Sequence, residues 1–194
     1  MSKTLIGLVQ AFIGESQARN RYNIYSKIAM KEGFEQIAEI FNITAENERV
    51  HAKNFWRAAQ AVMEQTGKPM PEIAVDALAP LKVGSTIDNL KAAIDGETYE
   101  HTKMYPEIAD TAEEEDFKEI AKQVRAIAQA EVHHATRYTA LLKEVEAKTV
   151  FKKKKPIQWM CRECGYIHTG EEPPEQCPSC FHPREFFQVL CETY

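Results

Sequence analysis

An all-α four-helix bundle with a two-metal carboxylate site, followed by a small four-cysteine metal domain of short strands and turns, is the fold this 194-residue chain predicts. Three observations predict it. The signature Glu-x-x-His occurs twice in helix-type sequence, as Glu48-x-x-His51 and Glu131-x-x-His134. Each copy follows a Gly-Glu pair at nearly the same distance, Gly14-Glu15 before the first and Gly96-Glu97 before the second. All five cysteines lie between positions 161 and 191.

The helices come first. Leu5, Ile6, Leu8, Val9, Phe12 and Ile13 recur at the i, i+3, i+4, i+7 spacing of a buried helix face. Gly33 ends this helix, and a second runs from about Phe34 to Gln65. Thr66-Gly67-Lys68-Pro69-Met70-Pro71 stops it, because two prolines and a glycine cannot continue a helix. A third starts near Ser85 or Thr86, either able to cap it, and passes Pro106, which predicts a kink, to about Ala112. The fourth runs from about Glu115 to Lys148. Tight turns make each pair antiparallel, and the long link from Gly67 to Gly84 lets the chain cross the bundle between the pairs. That is the connection of ferritin-like bundles.

The two pairs read as copies. Ala45 to Phe55 aligns with Ala128 to Tyr138, and Gly33-Phe34 with Asp116-Phe117. Tyr22 aligns with Tyr105, and Glu15 with Glu97 after a one-residue slip. Residues three apart on a helix share a face, so each signature aims a carboxylate and an imidazole at one point. A duplicated hairpin about a pseudo-two-fold axis brings both points together. The expected ligands are Glu15, Glu48, His51, Glu97, Glu100, Glu131 and His134. Hard carboxylate oxygens with a few imidazoles suit iron or manganese. Glu48 and Glu131 are the natural bridges, and Glu15 and Glu97 the terminal ligands. Symmetry fails at Glu100, whose counterpart in the first half is Ala18. His101 and His133 stand about 100° round the helix from their ligand neighbours and read as non-ligands. Glu46, Glu113, Glu114 and Glu115 read as surface. Tyr22 and Tyr105 are either hydrogen-bond donors to ligand carboxylates or core aromatics.

Composition changes after Thr149. The expected division is a bundle over 1–149, a Lys152-Lys153-Lys154-Lys155-Pro156 linker within 150–156, and a metal domain over 157–194. Cys161-x-x-Cys164 and Cys177-x-x-Cys180 are matched knuckles for a tetrahedral four-thiolate site. Gly165 supplies the positive φ a knuckle needs, while Trp159, Tyr166, Phe186 and Phe187 wrap the site. Spacing alone leaves iron or zinc open; the attached redox-capable bundle favours iron. Cys191 reads as an ordinary buried or half-buried thiol.

The formal charge of −5, and lysines without interleaved aromatics, argue against a nucleic-acid binder. No apolar run approaches the ~18 residues a membrane helix needs. Met1-Ser2-Lys3-Thr4 carries no signal-peptide pattern, so the expected location is the cytoplasm.

With both sites in view, the chain closely resembles the rubrerythrin family over essentially its whole length. Gly14-Glu15-Ser16-Gln17-Ala18-Arg19-Asn20-Arg21-Tyr22 and Met104-Tyr105-Pro106 resemble that family's helices. Cys161-Arg162-x-Cys164-Gly165-Tyr166 with Cys177-Pro178-x-Cys180 resembles its rubredoxin-like domain. The resemblance implies a peroxidase with two non-haem irons in the bundle and one iron at the cysteines. It reduces hydrogen peroxide to water with electrons from a donor such as rubredoxin or an NAD(P)H-dependent reductase. It further implies a redox-linked exchange of Glu100 for His51 on one iron, and a homodimer. The alternatives are a ferritin-like ferroxidase or iron-handling protein, which needs no four-cysteine port, and a zinc-ribbon interaction module, which leaves the duplicated carboxylates without a purpose.

Overall fold

The computed structural model describes residues 2–70 and 72–192; Pro71, one of the expected helix breakers, and Met1 lie outside them. The helical part consists of α1 (Lys3–Lys31), α2 (Glu35–Thr66), α3 (Thr86–Tyr99), a π-helical turn (Glu100–Met104), α4 (Tyr105–Glu114) and α5 (Lys118–Glu146). α1 packs along α2, and α3 and α4 pack along α5. Residues 76 to 85 cross between the pairs without regular structure.

Four helix ends share one stop signal. After α1, Gly33 takes φ of 81°, its N–H donates to Met30 O, and the Phe34 N–H reaches Ala29 O. These are the two bonds of a Schellman cap. The matched position after α4 is Asp116 at φ of 66°, with Phe117 N–H on Ala112 O. Gly67 and Lys148 end α2 and α5 in the same way. Ser85, the nearer of the two expected caps, closes a reciprocal capping box with Asp88 at the start of α3.

Two expectations about the helices are corrected. The third helix is interrupted not at Pro106 itself but by the π turn just before it, Glu100–Met104. Pro106 has no N–H to give Thr102, and the Tyr105 N–H bonds Glu100 O, five residues back. Glu115 is not simply surface, and the last helix begins three residues after it. Its carboxylate accepts from Ser2 Oγ (2.5 Å) and the N–H groups of Lys3 (2.8 Å) and Thr4 (3.1 Å), capping α1. Burial pushes that carboxyl up, but these donors hold it down at about 2.

The C-terminal module is a three-stranded antiparallel sheet in the order β2-β1-β3, from β1 (Ile157–Cys161), β2 (Ile167–Gly170) and β3 (Phe187–Val189). Trp159 and Phe187 are buried in its centre, and the Trp159 indole N–H donates to Gly170 O. The lysine run is less free than a solvated linker. Lys152 pairs with Glu172 of the module at 2.6 Å, and Lys153 with Glu144 of α5 at 2.5 Å. Arg162 bonds Glu39 of α2, and Phe151 stacks on Phe34 at 6.5 Å, so the module sits against the α1–α2 turn. Cys191 is exposed, contrary to expectation, because it follows β3 beyond the sheet core.

Candidate metal centres

Six of the seven expected bundle ligands converge. Glu15, Glu48, His51 and Glu131 place one donor atom each within 4.8 Å of one another, and so do Glu48, Glu97, Glu131 and His134. The two groups share Glu48 and Glu131, one from each copy of the repeat. Each shared carboxylate sends one oxygen each way. Glu48 Oε2 lies 3.0 Å from His51 Nδ1 and its Oε1 3.3 Å from His134 Nδ1. Glu131 Oε1 lies 2.9 Å from His51 Nδ1 and its Oε2 2.7 Å from His134 Nδ1. Glu15 stands beside His51 at 3.5 Å, and Glu97 beside His134 at 3.3 Å.

These atoms point at common centres and not at each other. Both oxygens of Glu48 and of Glu131, one of Glu15, and His51 Nδ1 are buried with no aligned hydrogen-bond partner among the described residues. An orphaned buried carboxylate is costly; several orphans aimed at one spot fit a cation there. The protonation balance agrees. Burial would depress both imidazoles, yet the surrounding carboxylates, Glu131 first, raise each to about 12. Burial opposes the charge on Glu131 too, but the two imidazoles hold it at about 2. Burial and neighbouring carboxylates push Glu15 well up, and burial carries Glu97 to about 8 against the pull of His134. Without a metal, the cluster gathers positive charge as protons.

The tyrosine question resolves as both. Tyr22 and Tyr105 are buried, and each donates across the pseudo-two-fold to the other half's carboxylate: Tyr22 to Glu97, and Tyr105 to Glu15 at 2.6 Å. The π turn makes this possible. Glu15 and Tyr22 are seven residues apart, two α-helical turns, whereas Glu97 and Tyr105 are eight apart. The extra residue is absorbed between Glu100 and Met104, which is the physical meaning of the one-residue slip in the repeat. Tyr138, against Tyr22 at 5.7 Å, is a further buried tyrosine that sequence reasoning passed over. Its position opposite Phe55 in the repeat was the available signal.

Glu100 belongs to neither cluster. It opens the π turn, and burial followed by Glu15 pushes its carboxyl well up. His101 turns away, its Nδ1 2.7 Å from Glu97 O, and His133 likewise stays outside both clusters.

The four module cysteines meet as expected. Cys161 and Cys180 sulfurs are 3.7 Å apart, and those of Cys164 and Cys177 are 3.6 Å apart. A tetrahedron of ~2.3 Å metal–sulfur bonds has edges of about 3.8 Å, and a disulfide is far shorter. The knuckles are built alike: Gly165 N–H bonds Cys161 O at 2.8 Å, and Phe181 N–H bonds Cys177 O at 2.9 Å. Phe181 holds φ of 62° where the first knuckle uses Gly165. The Tyr166 backbone N–H is the leading cause that brings the exposed Cys164 thiol down to about 6.

A ferritin-like bundle with two overlapping carboxylate–histidine clusters, joined to a four-thiolate module, defines a class of non-haem iron proteins. Comparison with known proteins agrees. The family profile described as Rubrerythrin matches residues 7–142, and that described as Rubrerythrin, rubredoxin-like domain matches residues 159–188. A relative from Methanocaldococcus jannaschii is 55% identical, the match covering 100% of this chain and 96% of its own. Rubrerythrin of Porphyromonas gingivalis is 45% identical, with 100% and 92% covered. The solved structure of nigerythrin in its fully reduced, all-ferrous state superposes with a TM-score of 0.62 at 32% identity, over 98% of this chain and 88% of that one. The chain belongs to the rubrerythrin family, and its relatives make it a di-iron oxidoreductase.

Proposed function

We propose that the protein is a peroxidase that reduces hydrogen peroxide to water at the bundle site, with electrons arriving through the four-cysteine centre. The observation that carries this reading is one chain holding both a buried cluster of orphaned carboxylates and imidazoles and a four-thiolate site. A storage ferroxidase has use only for the first. Bound iron would supply two one-electron reductants side by side, matching the two electrons an O–O bond needs.

The residues have the following parts in this reading. Glu48 and Glu131, common to both clusters, would hold both metals, while Glu15 with His51, and Glu97 with His134, would hold one each. Those four carboxylates offset the charge of two divalent cations. Glu100 is the reserve anion: it would offset the greater positive charge of an oxidised site in place of His51, which would serve the reduced one. Tyr22 and Tyr105 fix the terminal carboxylates and keep their second oxygens aimed inward. Glu100, outside both clusters and biased toward protonation by burial, can hand protons to the departing oxygens. Cys161, Cys164, Cys177 and Cys180 would hold a single iron, a one-electron carrier supplied by rubredoxin or an NAD(P)H-dependent reductase. A cytoplasmic homodimer and the 1–149, 150–156, 157–194 division complete the reading. No helix among the described residues is long and apolar enough to cross a membrane.

Cys164→Ser tests the port. Turnover with an electron donor should stop, while the chemically reduced protein still consumes about one equivalent of peroxide per di-iron site. Full steady-state turnover in a variant shown to lack the thiolate iron refutes the role.

A further inference from the structure

A groove of about 670 Å³ runs between α1 and the α3–π–α4 face, and Asp76 and Lys82 mark the stretch of the crossover that spans it. Gln10 Nε2 holds Asp76 O at 2.8 Å, and the Tyr25 hydroxyl holds Lys82 O at 2.6 Å, so α1 pins this strap at both ends. The helices close at one end, where a Cβ on Gly7 would stand 2.8 Å from Ile108. They part at Gly14, where a Cβ would meet nothing within 4 Å, and at Gly96, where its nearest neighbour would be Arg21 Nη2 at 3.8 Å. Gly14 and Gly96 directly precede Glu15 and Glu97. The groove therefore passes beside the helix positions that carry the cluster carboxylates, and Glu100 lines it where the six cluster residues do not.

Its size and chemistry exceed what hydrogen peroxide needs. That substrate has two heavy atoms, and a water molecule takes up about 30 Å³. The groove falls among small-molecule sites of about 300–1,000 Å³, which are apolar with a few convergent polar groups. Ile6, Met104 and Ile108 contribute the apolar wall, while Leu78 on the strap is 90% exposed. At the polar end, Arg21 donates to Gln17 at 3.0 Å while its Nε is buried with no partner.

We propose that the groove binds organic hydroperoxides with a bulky, uncharged hydrocarbon body. The body lies along Ile6, Met104 and Ile108 beneath the strap, and the –O–O–H group reaches Glu100. This rests on the peroxidase reading and names a second substrate class for it. The reaction is ROOH + 2 e⁻ + 2 H⁺ → ROH + H₂O. The O–O bond breaks, the two electrons come from the same donor through the reduced centre, and each oxygen takes one proton. Arg21 and Gln17 orient the oxygen end, and Gly14 and Gly96 set the width.

The test has a binding arm and a kinetic arm, both on the full-length protein. Isothermal titration with 2-phenyl-2-propanol, the alcohol from cumene hydroperoxide, should show saturable binding. Gly14→Leu, which fills the groove from the helix side, and Ala77→Trp, on the exposed strap, should each weaken it about tenfold. The ratio of kcat/KM for cumene hydroperoxide to that for hydrogen peroxide should fall about tenfold in both variants, at unchanged iron content. No saturable binding, binding untouched by both substitutions, or an unchanged ratio overturns the proposal. If the protein reduces no hydrogen peroxide at all, the peroxidase reading fails, and the binding arm alone decides the groove.

Discussion

Replacing Glu48 by Gln should lower stability both without metal and with it. Glu48 is 1% exposed, and its oxygens lie 3.0 Å from His51 Nδ1 and 3.3 Å from His134 Nδ1. A buried polar group that loses its partner costs about 1–3 kcal/mol. The amide keeps the shape but takes an anion away from two imidazoles that the surrounding carboxylates hold protonated when metal is absent. At about 2–4 °C per kcal/mol for a chain of this size, the metal-free variant should melt about 2–12 °C below the metal-free parent at pH 7. With Fe(II) the amide ligates poorly at both centres. A tenfold weakening at each of two sites removes about 2.7 kcal/mol of metal-linked stability in all. The metal-induced rise in Tm should therefore shrink by about 5–11 °C. Anaerobic circular-dichroism melts with chelator and with excess Fe(II), on parent, Glu48→Gln and exposed Glu114→Gln, give both quantities. A metal-free variant that melts with or above its parent, with an undiminished response to Fe(II), would refute both the charge pairing and the bridging role. Glu114→Gln should stay within about 2 °C of the parent in both conditions.

Three further outcomes are expected. Glu115→Ala removes the acceptor that caps α1 and should cost about 1 kcal/mol at pH 7. Because the folded-state pKa is depressed to about 2 from 4.5, that contribution is present above pH 4.5 and lost as pH falls toward about 2; urea melts across that window should show the gap closing. Asp116→Gly relieves a non-glycine residue at φ of 66° in the α4–α5 turn and should raise stability by about 0.5–1 kcal/mol; a loss of that size in urea melts would show that the Asp116 side chain supports the turn. In the ligand-exchange reading, His51→Ala should lose iron chiefly from the reduced protein, Glu100→Ala chiefly from the oxidised protein, and His134→Ala from both; iron assays after anaerobic and aerobic dialysis check this, and identical ligands in structures of both states would end the exchange.

The sequence by itself determined the two side-chain clusters as sets of residue types. Helical periodicity sends Glu48 with His51, and Glu131 with His134, to single points, and the duplication says those points meet. The Cys-x-x-Cys pairs need only two local turns to close a tetrahedron. Schellman stops were legible at Gly33 and Gly67, since glycine advertises positive φ, and illegible at Asp116 and Lys148, where context imposes it. Long-range contacts were beyond a single sequence. Glu115 reads as one of three consecutive surface glutamates until the fold brings it to the start of α1. The slip between Glu97 and Tyr105 was visible as a number, but only packing shows a π turn absorbing it, so that both tyrosines still reach across the axis. Whether Glu100 or His51 stands among the carboxylates was likewise decided by tertiary structure. Both can reach the site, and which one enters depends on how the π turn and α2 pack around it.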